Sequence, residues 1–412
     1  MELDALNLYS ESLIREEADA AGVRSSAAAL RWQVEVLSRS EIEACERWEH
    51  AFPGQRKDRR YYELVEETID QGFDYRYFAL RDALGQVRAI QPFFINDQNL
   101  IEGSGPRVKQ AVDLVRRVWP RFLRMRTLMV GCAAGEGHLD AGDEQTRHCI
   151  ARSLGAAISG HARRLRTKLI VFKEFTVADR AALSCLAETG FTRAPSMPMS
   201  RLRLNFKDFD EYMRTVLSAK MRAKLRRDER RTAERAKLEL RVVTGIAPYI
   251  EEIFPLYLGV YNRSTLHFEK LTREYLCRIG EVMGDRSLFF LILNGDKIVS
   301  FNLCLANGKE LTSEYVGFDY EVAFDLNLYN LMTKKILEWA IENKFEWYAS
   351  TSLNYEPKYH FRHVLDPLDL YVKHRWGLVN FFMKRALPLL EPTRQDPFLP
   401  KFPNYKDLHG DD

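Results

Sequence analysis

The 412-residue sequence contains no C-x-x-C pair, and its six cysteines (Cys45, Cys132, Cys149, Cys185, Cys277, Cys304) lie far apart. That spacing excludes a disulfide framework or a zinc ribbon and leaves reduced core cysteines. No apolar run approaches the ~18 residues needed to span a bilayer. Neither G-x-G-x-x-G after a strand nor G-x-x-x-x-G-K-[ST] occurs, which removes the common nucleotide-binding loops. Net charge is scarce as well, at +3. The opening MELDALNLYSESLIREEADAAG is acidic and helical in pattern, unlike a signal peptide, so a cytoplasmic location is expected.

What is present is core material. The apolar fraction is 46%, with 24 Phe, 18 Tyr and 6 Trp, enough for more than one core. The length implies roughly two to three domains. Charge is patterned locally: between Lys220 and Lys237 nine basic residues face three acidic ones, and the remainder of the chain carries −3. This is a basic patch on a near-neutral body rather than a generally basic chain.

Periodicity predicts a helical lead-in over 3–30, a strand over 32–37 and a helix from Ser40 to Trp48. A hairpin follows at 75–81 and 87–95, then a helix at 108–123, a strand at 127–130 and the three-glycine loop GCAAGEG (131–137). A helix at 145–165, the strand KLIVFKEF and a helix stopped by Gly190 close the first half. The second half repeats the order: a strand at 199–204, a long helix or helix pair at 209–237, a strand at 238–243 and two helices. A hairpin turning at Asn294-Gly295 follows, then ELTSEYVGF, a helix at 328–343 and a strand at 347–350. This order departs from strict βαβ alternation, so a mixed α+β sheet is expected in each half.

Three stretches carry a family resemblance. The helix opening FKDFDEYMRTVLSAKMRAKLRRDERR, the meander LFFLILNGDKIVSFNLCLANGKELTSEYVGFD and the ending YASTSLNYEPKYHFRHVLDPLDLYV resemble the catalytic domain of Fem-type transferases and related GNAT acyltransferases. They cover about 40% of the chain. The first half resembles a divergent copy, which implies two tandem GNAT-like domains (31–195 and 196–390). The tail EPTRQDPFLPKFPNYKDLHGDD (391–412) is rich in Pro and polar residues and is expected to be extended or loosely docked. The R/Q-x-x-G-x-G/A pyrophosphate loop is absent before the 328 helix, where the chain reads DLNLYNLM. The resemblance therefore implies either acyl-CoA or aminoacyl-tRNA as co-substrate, with no tightly bound cofactor. The acceptor would be an amine on a small molecule or peptide.

Direct acyl transfer needs proton removal from the amine, stabilisation of the developing oxyanion, and close positioning. Glu314, mid-strand beside Tyr315, is a candidate base, with Asp319 and Asp325 as alternatives. Lys358 can stabilise an oxyanion or hold a phosphate, and it matches the lysine in the family's loop after the closing strand. If that segment is a strand, His360 and Arg362 share its face, with Ser352 and Tyr355 beside it. Lys373 and Arg375 extend the same positive surface. Asn327, Tyr329 and Asn330 line a helix opening whose unpaired N–H groups can bind a donor. Lys220 and Arg222 on the basic helix, and Glu136 and His138 of the glycine loop, are further candidates. A non-catalytic GNAT pair binding an anionic ligand or RNA through 220–237 is the alternative reading.

Overall fold

The computed structural model describes residues 31–99, 106–264 and 268–410, so the lead-in expected over 3–30 lies outside the described residues. The described residues form fourteen strands. The first seven are β1 (Gln33–Leu37), β2 (Asp74–Arg81), β3 (Val87–Asn99), β4 (Arg124–Val130), β5 (Leu169–Thr176), β6 (Thr192–Pro195) and β7 (Met199–Arg203). The others are β8 (Leu238–Val243), β9 (Ser287–Asn294), β10 (Lys297–Asn307), β11 (Glu310–Phe318), β12 (Trp347–Ser350), β13 (Val364–Asp366) and β14 (Leu368–His374). Among the described residues no helix is long and apolar enough to cross a membrane.

The strands build two seven-stranded sheets, ordered β1-β2-β3-β4-β5-β14-β6 and β8-β9-β10-β11-β12-β7-β13. Position by position the two sheets match. Each begins as an antiparallel meander of four strands. Each then has one parallel pair, β4 with β5 and β11 with β12. A parallel pair needs a crossover, and the helices Glu144–Arg164 and Leu328–Glu342 supply it. The sixth position is exchanged between the halves. Strand β7 pairs with β12 and β13, while β14 returns to pair with β5 and β6. The last strand of the 196–390 stretch thus belongs to the first sheet. The chain changes sheets at Pro198 in one half and Pro367 in the other, residues that cannot extend a ladder as donors.

Sequence explains why the strands read as continuous apolar runs. In β9, Phe289, Leu291 and Leu293 enter one core while Phe290 and Ile292 enter another. Both faces are buried, so alternation disappears from the composition. The first of those cores is shared: Tyr77, Ala79 and Ile90 of the first sheet pack in the same cluster as Phe289, Phe301 and Leu303 of the second. The helices Arg59–Thr68 and Arg273–Val282 contact one another within this shared layer.

Three local expectations change. The first helix starts at Ser38 rather than Ser40, because the Glu41 carboxylate accepts from the Ser38 N–H at 2.7 Å. The helix expected to reach residue 123 ends at Arg116, ahead of Pro120. The tail after 391, expected to be extended or loosely docked, is docked: Leu399, Phe402 and Leu408 are buried with Met197, Tyr355 and Leu365. The Asn404 side chain also exchanges two hydrogen bonds with the Leu365 backbone, both at 2.9 Å.

Candidate active site

The parallel pair of the second sheet stops early. β11 and β12 are in register from Glu310↔Trp347 to Ser313↔Ser350, and then β12 ends while β11 continues to Phe318. A gap therefore opens between Glu314–Phe318 and the loop Thr351–Asn354. On its far side β11 is also irregular. Leu303 stands opposite Tyr315 and Cys304 opposite Ser313, so Glu314 is the extra residue of a bulge. Bulges re-aim side chains and recur beside active sites. The rim is conformationally unusual, since Asn327 (φ 49), Leu353 (φ 74) and Asn354 (φ 52) all occupy the left-handed region. Asparagine tolerates this better than leucine, and such outliers persist where surrounding structure over-determines them.

Of the helix-opening residues, Tyr329 lines this gap. The Asn327 side-chain nitrogen is buried without a hydrogen-bond partner, among the described residues. Tyr329 stacks obliquely on Phe318, with centroids 6.0 Å apart. Burial pushes the Tyr329 hydroxyl up to about 12, moderated by the Asn354 side chain. Asn330 follows on the first turn of the helix.

Across the gap sits Lys358. The segment expected as a strand is the short helix Tyr355–His360, entered from the left-handed Asn354. Helical geometry puts residues two apart on opposite faces, so Lys358 is buried while His360 is exposed; Arg362, past the helix end at φ 62, is exposed as well. The Lys358 ammonium donates to the Thr351 carbonyl. Thr351 in turn donates through its N–H to the Ser313 carbonyl and through its hydroxyl to the Glu314 carbonyl, both at 3.1 Å. Lys358 is thus one residue removed from the point where β11 and β12 part. Burial alone pushes its amine down to about 7. The docked tail contributes to this desolvation, with Phe402 packing on Tyr355 and Tyr359 of the same helix. His363 beside it is pushed down to about 3 by burial and by the Lys358 charge, and meets Ser200 Oγ at 3.1 Å. Ser352 and Tyr355 are structural here: their hydroxyls donate to the Met197 and Pro198 carbonyls at 2.8 and 2.7 Å.

Glu314 points elsewhere than expected. Its two oxygens meet Arg56 Nε at 2.8 Å and Lys57 Nζ at 3.2 Å. The same cations hold Glu136 of the glycine loop at 2.5 and 2.7 Å. All four side chains are buried and balance two against two, with Glu310 a further 3.7 Å from Arg56 at the rim. Burial opposes ionisation of Glu136, but the Arg56 and Lys57 charges prevail and hold its carboxyl well below the usual range. Arg56 also donates to Thr312 Oγ1 at 2.9 Å, so alternate residues of β11 face the first domain. Tyr315 extends the contact, donating to Glu269 at 3.0 Å, while Tyr275 and Tyr61 share a hydrogen bond at 3.0 Å. Neither Arg56 nor Lys57 stood out in the sequence, because a basic pair before a helix reads as surface. The one signal was the acid-basic match with Glu136 and Glu314.

Other candidates lie apart from the gap. Arg222 donates to the Leu217 carbonyl at 2.7 Å, and Lys220 is exposed on the first turn of the helix Ala219–Arg235. That helix touches the opening through its other end, where Thr232 donates to the Leu326 carbonyl at 3.0 Å. Twelve residues separate Thr232 from Lys220, which is about 18 Å along the axis. Asp319 pairs with Lys297 at 2.7 Å, and Asp325 is 3.6 Å from Arg235. Lys373 and Arg375 belong to β14 and its end, hence to the first sheet.

The first domain has no such gap. Its parallel pair parts after Val130↔Phe172, but the loop 131–137 folds back and Gly137 bridges to Phe175. Lys173 donates to the Gly135 carbonyl at 2.9 Å. Side chains are excluded here: Gly135 has φ +107 and a Cβ would overlap Lys57 Nζ, while a Cβ on Gly137 would come 2.7 Å from the Lys173 carbonyl. The loop with Glu136 and His138 is therefore a plug built by the protein itself.

Residues 219–356 match the acetyltransferase (GNAT) domain family. Among curated proteins none matches. Of solved structures, the chain is similar to FemX, at 11% identity and TM-score 0.47, over 82% of this chain and 96% of that one. It is similar to a tandem GNAT protein from the clavulanic acid biosynthesis pathway, at 11% identity and TM-score 0.44, over 84% and 99%. It is also similar to the C-terminal domain of a putative lysylphosphatidylglycerol synthetase from Agrobacterium fabrum, at 16% identity and TM-score 0.42, over 66% and 84%. The family match thus falls within the second half, and the first sheet repeats the strand order of the second.

Proposed function

We propose that the protein is an N-acyltransferase working by direct transfer in the gap of the second domain. The carrying observation is the contrast between the halves: the strand gap beside Lys358 is left open, whereas its counterpart is plugged. The donor, an acyl-CoA or an aminoacyl-tRNA, would lay its acyl carbonyl along the unpaired edge of β11. There the Asn327 amide and the first-turn N–H groups of the 328 helix supply donors. The acceptor amine attacks the carbonyl carbon, the new C–N bond forms, and the thiolate or ribose oxygen leaves. One proton must pass from the attacking nitrogen to the leaving group.

Lys358 is suited to carry that proton, since an amine near 7 is populated in both forms at neutral pH. We assign it this role in place of oxyanion stabilisation, and assign Glu314 to holding the two domains in register. Incubating the protein with a panel of amines and radiolabelled acyl-CoA or charged tRNA tests the reading. Amide product from one donor class supports it and identifies the donor. Absence of product with both, together with salt-sensitive RNA binding, overturns it in favour of a non-catalytic anion-binding pair.

A further inference from the structure

Of the eleven exposed large hydrophobic side chains among the described residues, eight lie in two segments, 114–119 and 376–382. The segments are distant in sequence but meet at one end of the first sheet. The turn after Arg116 feeds directly into β4, and Trp376 directly follows β14. The ends of those strands are laced across β5: Lys168 N–H donates to the Arg126 carbonyl at 2.9 Å, and Arg375 N–H to the Lys168 carbonyl at 2.8 Å. Val118 is 91% exposed, Leu378 72% and Trp119 61%. In the helix Gly377–Leu390, Leu378, Phe381, Phe382 and Arg385 recur at spacings of three and four, so one outward face is apolar. Met383 and Leu387 pack the opposite face on the protein core.

The same end is basic. Arg121, Arg124, Arg126, Arg166, Lys168 and Arg375 surround the apolar face, and the stretches 117–126, 163–168 and 370–390 hold no acidic residue. The acidic neighbours of this end are Asp74, 3.8 Å from Arg126, Asp97, which stands opposite Arg126 in the β3–β4 ladder, and Asp113, 3.9 Å from Arg116, so the basic residues outnumber them. Aromatic and aliphatic side chains ringed by guanidinium and ammonium groups match the interface of an anionic bilayer, where apolar groups enter the headgroup layer and cations meet phosphates. A second copy of the chain fits poorly, because an isologous contact would set this one-sign surface against itself. Lipid accounts for all eight side chains, whereas RNA would stack on Trp119, Trp376, Phe381 and Phe382 and leave Leu114, Val115, Val118 and Leu378 without a role.

We infer that this end of the first domain docks the protein onto an anionic membrane surface through the 117–123 turn and the outer face of the 377–390 helix. Full-length protein should sediment with vesicles of phosphatidylcholine and phosphatidylglycerol in equal parts. Phosphatidylcholine alone should retain little, and 0.5 M NaCl should weaken the binding. The double variant Leu378→Glu/Phe382→Glu should lower partitioning by about tenfold or more. Its circular dichroism and transfer to a soluble amine should be unchanged, because both side chains point to solvent. Equal indifference to both vesicle types, or unaltered partitioning of the double variant, overturns the inference. So does displacement from vesicles by polyuridylate at equal charge, or a dimer that the double variant abolishes.

Discussion

Replacing Lys358 by methionine should make the protein more stable and much less active. The side chain is buried, and its amine has fallen from the ordinary 10.5 to about 7 because burial disfavours the charged form. At 1.36 kcal/mol per factor of ten, that drop corresponds to about 5 kcal/mol of penalty borne by the folded state while the lysine is protonated. The unfolded chain binds this proton more tightly, so stability rises with pH between about 7 and 10.5 and is lowest below 7. Methionine keeps the length of the stem and removes the charge. It also forfeits the hydrogen bond to the Thr351 carbonyl, about 1 kcal/mol. The expected gain at pH 6 is therefore about 3–4 kcal/mol, an upper value because buried lysines recruit water, and it should vanish by pH 10.5. Urea denaturation of both proteins at pH 6, 8 and 10 measures this directly. Activity should fall about 10²-fold if the amine carries the proton. A variant that is less stable at pH 6 than at pH 10 relative to the parent would refute the desolvation argument.

Other expectations concern the scaffold of the site. Glu136→Gln strips one carboxylate from two buried cations and should cost about 3 kcal/mol or more in thermal or urea unfolding. Because the folded Glu136 carboxyl is depressed, its contribution is complete above the ordinary value of 4.5 and is lost as pH falls through the folded value. Acid titration should therefore show a flatter loss of stability in Glu136→Gln than in the parent. Gly135→Ala should lower the melting temperature by several degrees, since the new methyl meets Lys57 at a positive φ. Phe402→Ala should cost about 3 kcal/mol and, by admitting water to the Lys358 helix, should move the acid limb of the rate profile, where the accepting amine becomes protonated, upward in pH.

Elements with a local signal were legible in the sequence. The Asn294 hairpin, the 328 helix and the strand of Glu314 announce themselves through turn chemistry and periodicity, and all three form within a residue or two of expectation. What failed was whatever depends on distant partners. β6 and β13 are three or four residues long and exist because an exchanged strand lies beside each of them. The strand pattern at Lys358, His360 and Arg362 was real as a spacing, yet Asn354 in the left-handed region and the tail packed on Tyr355 turn it into a helix. Local sequence marks Glu314 as a strand carboxylate but not as half of an ion pair, because its cations arrive from some 250 residues upstream.

The exchange of β7 and β14 explains why a plugged first domain accompanies an open second one. Neither sheet is complete without a strand from the other half, so the two must form together. The exchange also brings β11 against the loop 131–137, and the buried charges of Arg56, Lys57, Glu136 and Glu314 are paired in that arrangement. A displacement of either domain would strand charges in a buried layer, at several kcal/mol each. Rigidity at the base of β11 holds its edge beyond Glu314, whose carbonyl still accepts from the Thr351 hydroxyl, apart from β12. In that view the first domain serves the reaction by immobilising the strand on which it would take place, and its own gap is filled by the loop that does so.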